Sequence, residues 1–185
     1  MEHVLGVLVA LGLSAACGFR IFVPVLVISI AARTGHLVLA SQFEWIGATP
    51  ALIAFALATL LEVTAYYVPW LDNLLDTLAT PAAVIAGIVV SASVIVDLDP
   101  FLKWTLAVIA GGGVAGGVQL LTTGTRQVST ITTAGAANPV VSTVELGSST
   151  FLSALSLFAP LLVLFAVVTF VLFALNRLRQ GRARA

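Results

Sequence analysis

Apolar runs about as long as a bilayer crossing recur along this chain, and one soluble core of 185 residues could not bury so many of them. A helix needs about 20 consecutive apolar residues to cross the hydrocarbon layer. The runs are 4–32, 50–67, 82–96, 101–121 and 151–176. Apolar residues make up 60% of the chain and charged ones 9%, against roughly 25% charged in an average soluble domain. Lipid, not water, is the expected main solvent. The expected fold is all-α: a polytopic membrane helix bundle of about five transmembrane helices, a single integral domain over residues 1–185.

The first run is interrupted in its middle by Gly18, Arg20 and Pro24. Pro24 has no N–H to offer the carbonyl four residues back, so the helix is expected to kink or break near Gly18–Pro24. One bent span and two half-helices are both compatible with this. Arg33 to Thr49, with His36, Gln42, Glu44 and Trp45, suits a headgroup-region loop anchored by Trp45. Pro50 opens the second span. A short surface helix is expected over 68–80, because Leu71, Leu74, Leu75 and Leu78 recur at helical spacing opposite Asp72, Asn73 and Asp76. Pro81 is expected to end it, and Asp97-Leu98-Asp99-Pro100 to turn the chain into the fourth span.

The fourth span carries Gly112, Gly113, Gly116 and Gly117, two overlapping G-x-x-x-G pairs that allow close helix approach, within the bundle or between copies of a homo-oligomer. Thr122 to Thr150 is rich in Thr, Ser, Ala and Gly, with only Arg126 and Glu145 charged. It reads either as helical extensions of the neighbouring spans lining a wet cavity, or as an extracytoplasmic loop with a turn at Asn138-Pro139. The last span is expected to run unbroken through Pro160. It ends in a basic tail, 177–185, with Arg177, Arg179, Arg182 and Arg184.

Zero formal net charge argues against nucleic-acid binding. Cys17 is the sole cysteine, so no intrachain disulfide or thiolate cluster is expected, and His3 and His36 have no partners at metal-ligand spacing. No cofactor is expected. Met1-Glu2-His3 lacks a basic n-region, so the first apolar run reads as a retained span, not a signal peptide.

Charges at bilayer depth cost a few kcal/mol or more and usually face a protein interior, paired. Arg20 and Glu62 qualify by position, Arg126 less securely, and an Arg20–Glu62 pair is the expected arrangement. There is also a hint of internal repetition. Gly18-Phe19-Arg20 and Gly124-Thr125-Arg126 each follow an apolar run and precede an acid downstream, Glu62 and Glu145. Units three spans apart would be inverted in the membrane, as in many transporters.

Gly18-x-Arg20 with Pro24, Glu62 followed by Pro69-x-x-Asp72 and Asp76, then Gly124-Thr125-Arg126, Asn138-Pro139 and Glu145, resemble the small bacterial membrane proteins of domain-of-unknown-function family 4126. The resemblance covers roughly Leu11 to Leu146. The chain departs from the family pattern at Tyr66 and Tyr67, where an Asp-Lys pair is expected, and at Thr80, where arginine is expected. The resemblance implies a bacterial inner-membrane protein and no particular activity.

No nucleophile elbow, H-E-x-x-H or phosphate-binding loop occurs, so an enzyme is not expected. The expected function is a small transporter or channel for an anionic solute. Arg20, Glu62, Asp72, Asp76, Arg126 and Glu145 are its candidate path. The rival readings are a membrane assembly protein and a lipid-binding protein. Positive-inside counting puts the tail in the cytoplasm and, for five spans, Met1 outside. Cysteine-accessibility labelling is therefore expected to find the two ends on opposite sides. Protection of both from an external reagent would mean an even number of crossings.

Overall fold

Helix is the dominant conformation wherever the chain is described. A computed structural model describes residues 2–96, 98–163, 165 and 169, backbone only at residues 2–3 and 69–77. The helices are α1 (Glu2–Cys17), α2 (Phe22–Arg33), α3 (Thr49–Ala65), α4 (Pro69–Val94), α5 (Pro100–Leu106), α6 (Gly113–Thr133) and α7 (Asn138–Phe158). A 3₁₀ turn over Ser41–Gly47 leads into α3, and a π-helical stretch over Ala107–Gly112 joins α5 to α6. No strand occurs among the described residues, so the all-α expectation holds. The arginines of the tail lie outside the described residues, as do the side chains of Asp72 and Asp76.

The outside is apolar, and the inside combines an apolar core, which includes Leu13, Ile28, Ile46 and Val90, with buried hydroxyls and charges. On α7, Ser142, Glu145, Ser149, Ser153 and Ser156 are buried, while Val140, Val144, Phe151 and Phe158 are exposed. The buried set recurs every three or four residues, the spacing of one helix face. Apolar residues likewise cover the outside of α3, where Ile53, Leu57, Leu60 and Leu61 are exposed. A protein that hydrogen-bonds within itself and offers hydrocarbon outward is built for lipid. Pro100–Thr133, 34 residues through the π-helical stretch, and Asn138–Phe158 are long and apolar enough to cross a membrane. The 3₁₀ turn and α3, bent by 65°, make a third if they count as one span. Val4–Cys17, Phe22–Arg33 and Leu78–Val94 are shorter apolar helices.

Several boundaries differ from the expected ones. The first run is two helices, interrupted between Cys17 and Phe22. The interruption precedes Pro24, which sits in the first turn of α2, where an N–H has no intrahelical acceptor to lose. Pro81 does not end a surface helix but lies inside α4. The segment expected over 68–80 and the third span are therefore one helix, which forfeits one backbone bond at the proline. The Thr- and Ser-rich stretch from Thr122 is helical on both sides of a tight turn. α6 runs to Thr133, left-handed Ala134 and Gly135 reverse the chain, and α7 starts at Asn138 with Pro139 in its first turn. Arg126 is thus buried in a helix and is no loop residue. The last span is not continuous: α7 stops at Phe158, Ala159 is non-helical, and helix resumes at Pro160. Residues 164, 166–168 and 170–176 of that expected span lie outside the described residues.

α1 packs on α4 and α7, and α2 packs on α3. Small residues set the α1–α4–α6 approach. A Cβ on Gly87 would lie 2.5 Å from the Ala115 Cβ and 2.7 Å from the Gly111 carbonyl oxygen, and one on Gly18 would lie 2.6 Å from the Ala115 carbonyl oxygen. Ser14 Oγ donates to the Gly87 carbonyl at 3.1 Å and lies 2.8 Å from Ser91 Oγ, tying α1 to α4 at the same level. Gly112 and Gly116 face Val84 of α4. Gly113 and Gly117, expected to pack with them, face outward: a Cβ added to either would meet nothing within 4 Å. Successive residues are turned about 100° around a helix, so Gly113 and Gly117 fall outside the arc that Gly111, Gly112 and Gly116 turn to α4. At the opposite end from the α6–α7 hairpin, Phe43 lies 6.4 Å from the Trp104 ring and 6.0 Å from Lys103 Nζ. The loop after Arg33 and the start of α5 therefore share one end.

Gly87→Val and Gly111→Val are expected to lose about 1–3 kcal/mol or more from backbone displacement, whereas Gly113→Leu leaves the fold of the single chain unchanged. Thermal unfolding in detergent checks both. A Gly113→Leu loss equal to that of Gly87→Val would show that the outward glycines are buried by something beyond this chain.

Candidate functional site

The gap between α1 and α2 exposes backbone groups that an unbroken helix would pair internally. Its chemistry follows from what supplies the partners. The N–H groups of Ile21 and Phe22, at the start of α2, donate to Glu62 Oε1 at 2.7 Å and Oε2 at 3.0 Å. Glu62 reaches them from the last turn of α3, which packs beside α2. A carboxylate there satisfies two donors and sits at the positive end of the α2 dipole. On the α1 side, the carbonyl of Ala16 accepts from the backbone N–H groups of Phe19 and Arg20 and from Ser149 Oγ at 2.9 Å. Thr122 Oγ1 approaches the Gly18 carbonyl at 3.4 Å. Side chains from three helices thus complete a helix end.

Arg20 leaves the gap towards α7 and is 1% exposed. Its Nη2 donates to the Ser142 carbonyl at 3.0 Å and lies 3.3 Å from Glu145 Oε2. Arg126, from α6, forms a two-pronged pair with the same carboxylate: Nε donates to Oε1 at 3.0 Å, and Nη2 to Oε2. This side-on fork is the geometry of strong guanidinium–carboxylate recognition. The Tyr66 ring lies against both cations, with Arg20 Cζ 4.0 Å and Arg126 Cζ 3.9 Å from its centroid. Arg126 lies two turns before the end of α6 and Glu145 two turns after the start of α7, so the cluster sits about 10 Å below the hairpin.

Arg20, Arg126 and Glu145 therefore meet, and the Glu62 carboxylate binds backbone N–H groups of the same gap. The expected Arg20–Glu62 pair is replaced: Glu145 is the ion-pair partner of Arg20, and Glu62 is taken up by α2 backbone N–H groups. The reason is positional, since α2 turns its N-terminus to α3 while the Arg20 side chain turns to α7. Tyr66, Ser142, Ser149 and Thr122 were not among the site residues expected from sequence. The i, i+3, i+7 spacing of Ser142, Glu145 and Ser149 was the available signal. Arg20 Nε and Nη1 and Ser142 Oγ are buried and meet no hydrogen-bond partner among the described residues. Most buried polar atoms in folded proteins are matched, so this excess of donors stands out. It favours an acceptor, which could be water or an anion.

Removing Glu145 takes from two buried guanidinium groups the carboxylate they share. Glu145→Leu is expected to cost about 3–5 kcal/mol, and combining it with Arg20→Met and Arg126→Met to recover much of the loss. Glu62→Leu, which strands two N–H groups, is expected to cost about 1–3 kcal/mol for each. In a double-mutant cycle read by folded yield and thermal stability, Arg20 is expected to couple to Glu145. Additive Arg20 and Glu145 losses would contradict the geometry.

No curated protein and no solved structure matches the chain. One family model does, over residues 7–180, a range that contains Arg20, Glu62, Arg126 and Glu145. The chain belongs to the family described as Domain of unknown function (DUF4126).

Proposed function

We propose that the protein is a small membrane transporter or channel for an anionic solute, with Arg20 and Arg126 on the path and Glu145 and Glu62 balancing their charge. The observation that carries this reading is Arg20 itself. A guanidinium 1% exposed, placed at a helix interruption, keeps two nitrogens without an acceptor. A purely structural ion pair gains nothing from unmatched donors, and a well-packed apolar replacement is often as stable. Buried charge at a broken helix is also the arrangement transporters use to meet ions away from water. Asp72 and Asp76 remain candidates for the path. The proposed setting is a bacterial inner membrane with the arginine tail in the cytoplasm.

The outward face at Gly113 and Gly117 favours a second reading, an assembly role or a homo-oligomer in which another helix approaches α6 closely. The two readings are compatible if the oligomer is the transporting unit.

Purified protein in proteoliposomes is expected to pass chloride, acetate or phosphate faster than protein-free vesicles. Arg20→Gln is expected to lower that flux about tenfold or more, the value of one charge-assisted hydrogen bond. Flux at the background rate for every anion, with the protein folded and inserted, would remove the transport reading. A Gly113→Leu protein that is folded but no longer associates would support the assembly role.

A further inference from the structure

Among the described residues two carboxylates serve the gap between α1 and α2, and they are held differently. Glu145 gives both oxygens to guanidinium nitrogens and is buried. The Glu62 oxygens meet amide N–H groups instead, those of Ile21 and Phe22. Among the described residues no cation comes within ion-pair distance of Glu62. It is half-buried, one turn before the end of α3, and Tyr67 and Val68 of the connection that follows are exposed. A proton need not cross the packed core to reach it.

What a proton would do there follows from the hydrogen bonds. An ionised carboxylate is an acceptor at both oxygens and serves two N–H groups at once, whereas the protonated acid carries an O–H donor on one of them. The charge that strengthens both bonds is then gone, and so is the negative charge at the positive end of the α2 dipole. α2 has no side-chain cap of its own to replace Glu62, and the first N–H groups of a helix have no intrahelical acceptor. Arg20 directly precedes the two capped residues and is held to α7 by the Ser142 carbonyl and Glu145. A change at the cap therefore reaches the arginine cluster within one residue.

We propose that Glu62 is a proton-binding latch: ionised, it pins the first turn of α2 to the end of α3, and protonated, it releases that turn and loosens the segment that carries Arg20. The other titratable groups around it are Cys17 at the end of α1, Arg20 in the gap, Tyr66 one turn further along α3, Arg126 of α6 and Glu145 of α7. Arg33 closes the far end of α2, and Glu44 of the 3₁₀ turn lies beyond the far end of α3. Of all these, Glu62 alone binds the N–H groups that start α2. The latch goes beyond the anion reading and stands without it, since it needs no solute.

The test uses full-length protein in lipid nanodiscs and hydrogen–deuterium exchange read by mass spectrometry. The pH is stepped from about 7.5 to about 4, through the ordinary range of a glutamate, and each rate is divided by that of a free amide at the same pH. Peptides covering 18–25 are expected to lose about tenfold in protection as the pH falls, the value of one hydrogen bond to a charged group. Peptides covering 83–94 of α4 are expected to stay unchanged. Glu62→Gln, neutral at every pH and keeping one acceptor, is expected to show the unprotected level throughout. Glu62→Asp, which keeps a titratable carboxylate, is expected to retain the acid response and serves if Glu62→Gln does not fold. Unchanged protection of 18–25 in the unaltered protein would overturn the latch. An acid response of full size in Glu62→Gln would also overturn it, by assigning the proton to another group. Equal losses in 18–25 and 83–94 would overturn it as general acid unfolding. An acid response confined to 18–25 in a protein that passes no anion would uphold the latch and sink the transport reading. Anion flux without that response would do the reverse.

Discussion

Glu62 closes a gap in the hydrogen bonding of the first helical run. Between Cys17 and Phe22 the chain leaves helical geometry, and the first N–H groups of α2 have no carbonyl of their own to meet. The Glu62 carboxylate takes those of Ile21 and Phe22, and hydroxyls of Thr122 and Ser149 approach the carbonyls on the other side. The consequences spread outward from there. α3 must end beside α2, α6 and α7 must present hydroxyls to α1, and Arg20, carried in the gap, must project into the space among them. The Arg20–Glu145–Arg126 cluster is thus a product of where the first helix is interrupted.

The same requirement accounts for the polar groups inside. A broken helix needs side-chain donors and acceptors around it, so serines, threonines and a charged triad lie buried beside the apolar core. Tight packing at Gly18, Gly87 and Gly111 brings α1, α4 and α6 close enough for short hydroxyls such as Ser14 to reach across. Charge, hydroxyl and glycine are parts of one solution: buried polar groups kept compact because the helices around them touch by backbone. Family membership places these features in a group described only as of unknown function, so the site itself has to carry the argument about activity.

Much of the architecture was legible in the residues. Runs of apolar sequence separated by prolines and charges marked the helices, and Gly18, Arg20 and Pro24 marked the interruption. The rarity of charge singled out Arg20, Glu62, Asp72, Asp76, Arg126 and Glu145 without any structure, and the side chains of Asp72 and Asp76 lie outside the described residues. What was not legible was partnership. Arg20 and Glu62 looked like a pair because both fall within apolar spans, yet an interrupted helix offers its N–H groups as a competing partner for the carboxylate. Pro81 looked like a stop because a proline forfeits one hydrogen bond, and packing of α4 against α1 and α6 outweighed it. Pro160 looked harmless, and α7 stops just before it.

Lipid solvation, helical class and the identity of the buried charges were determined by the sequence alone, because each depends on local composition and on the cost of a charge in hydrocarbon. Which carboxylate faces which guanidinium, and which glycines are buried, was decided only by the tertiary structure. A helix turns about 100° per residue, so Gly112 and Gly113, neighbours in the chain, face α4 and the outside respectively. That rotation, fixed by how α1, α4, α6 and α7 pack, cannot be read from spacing within any one of them.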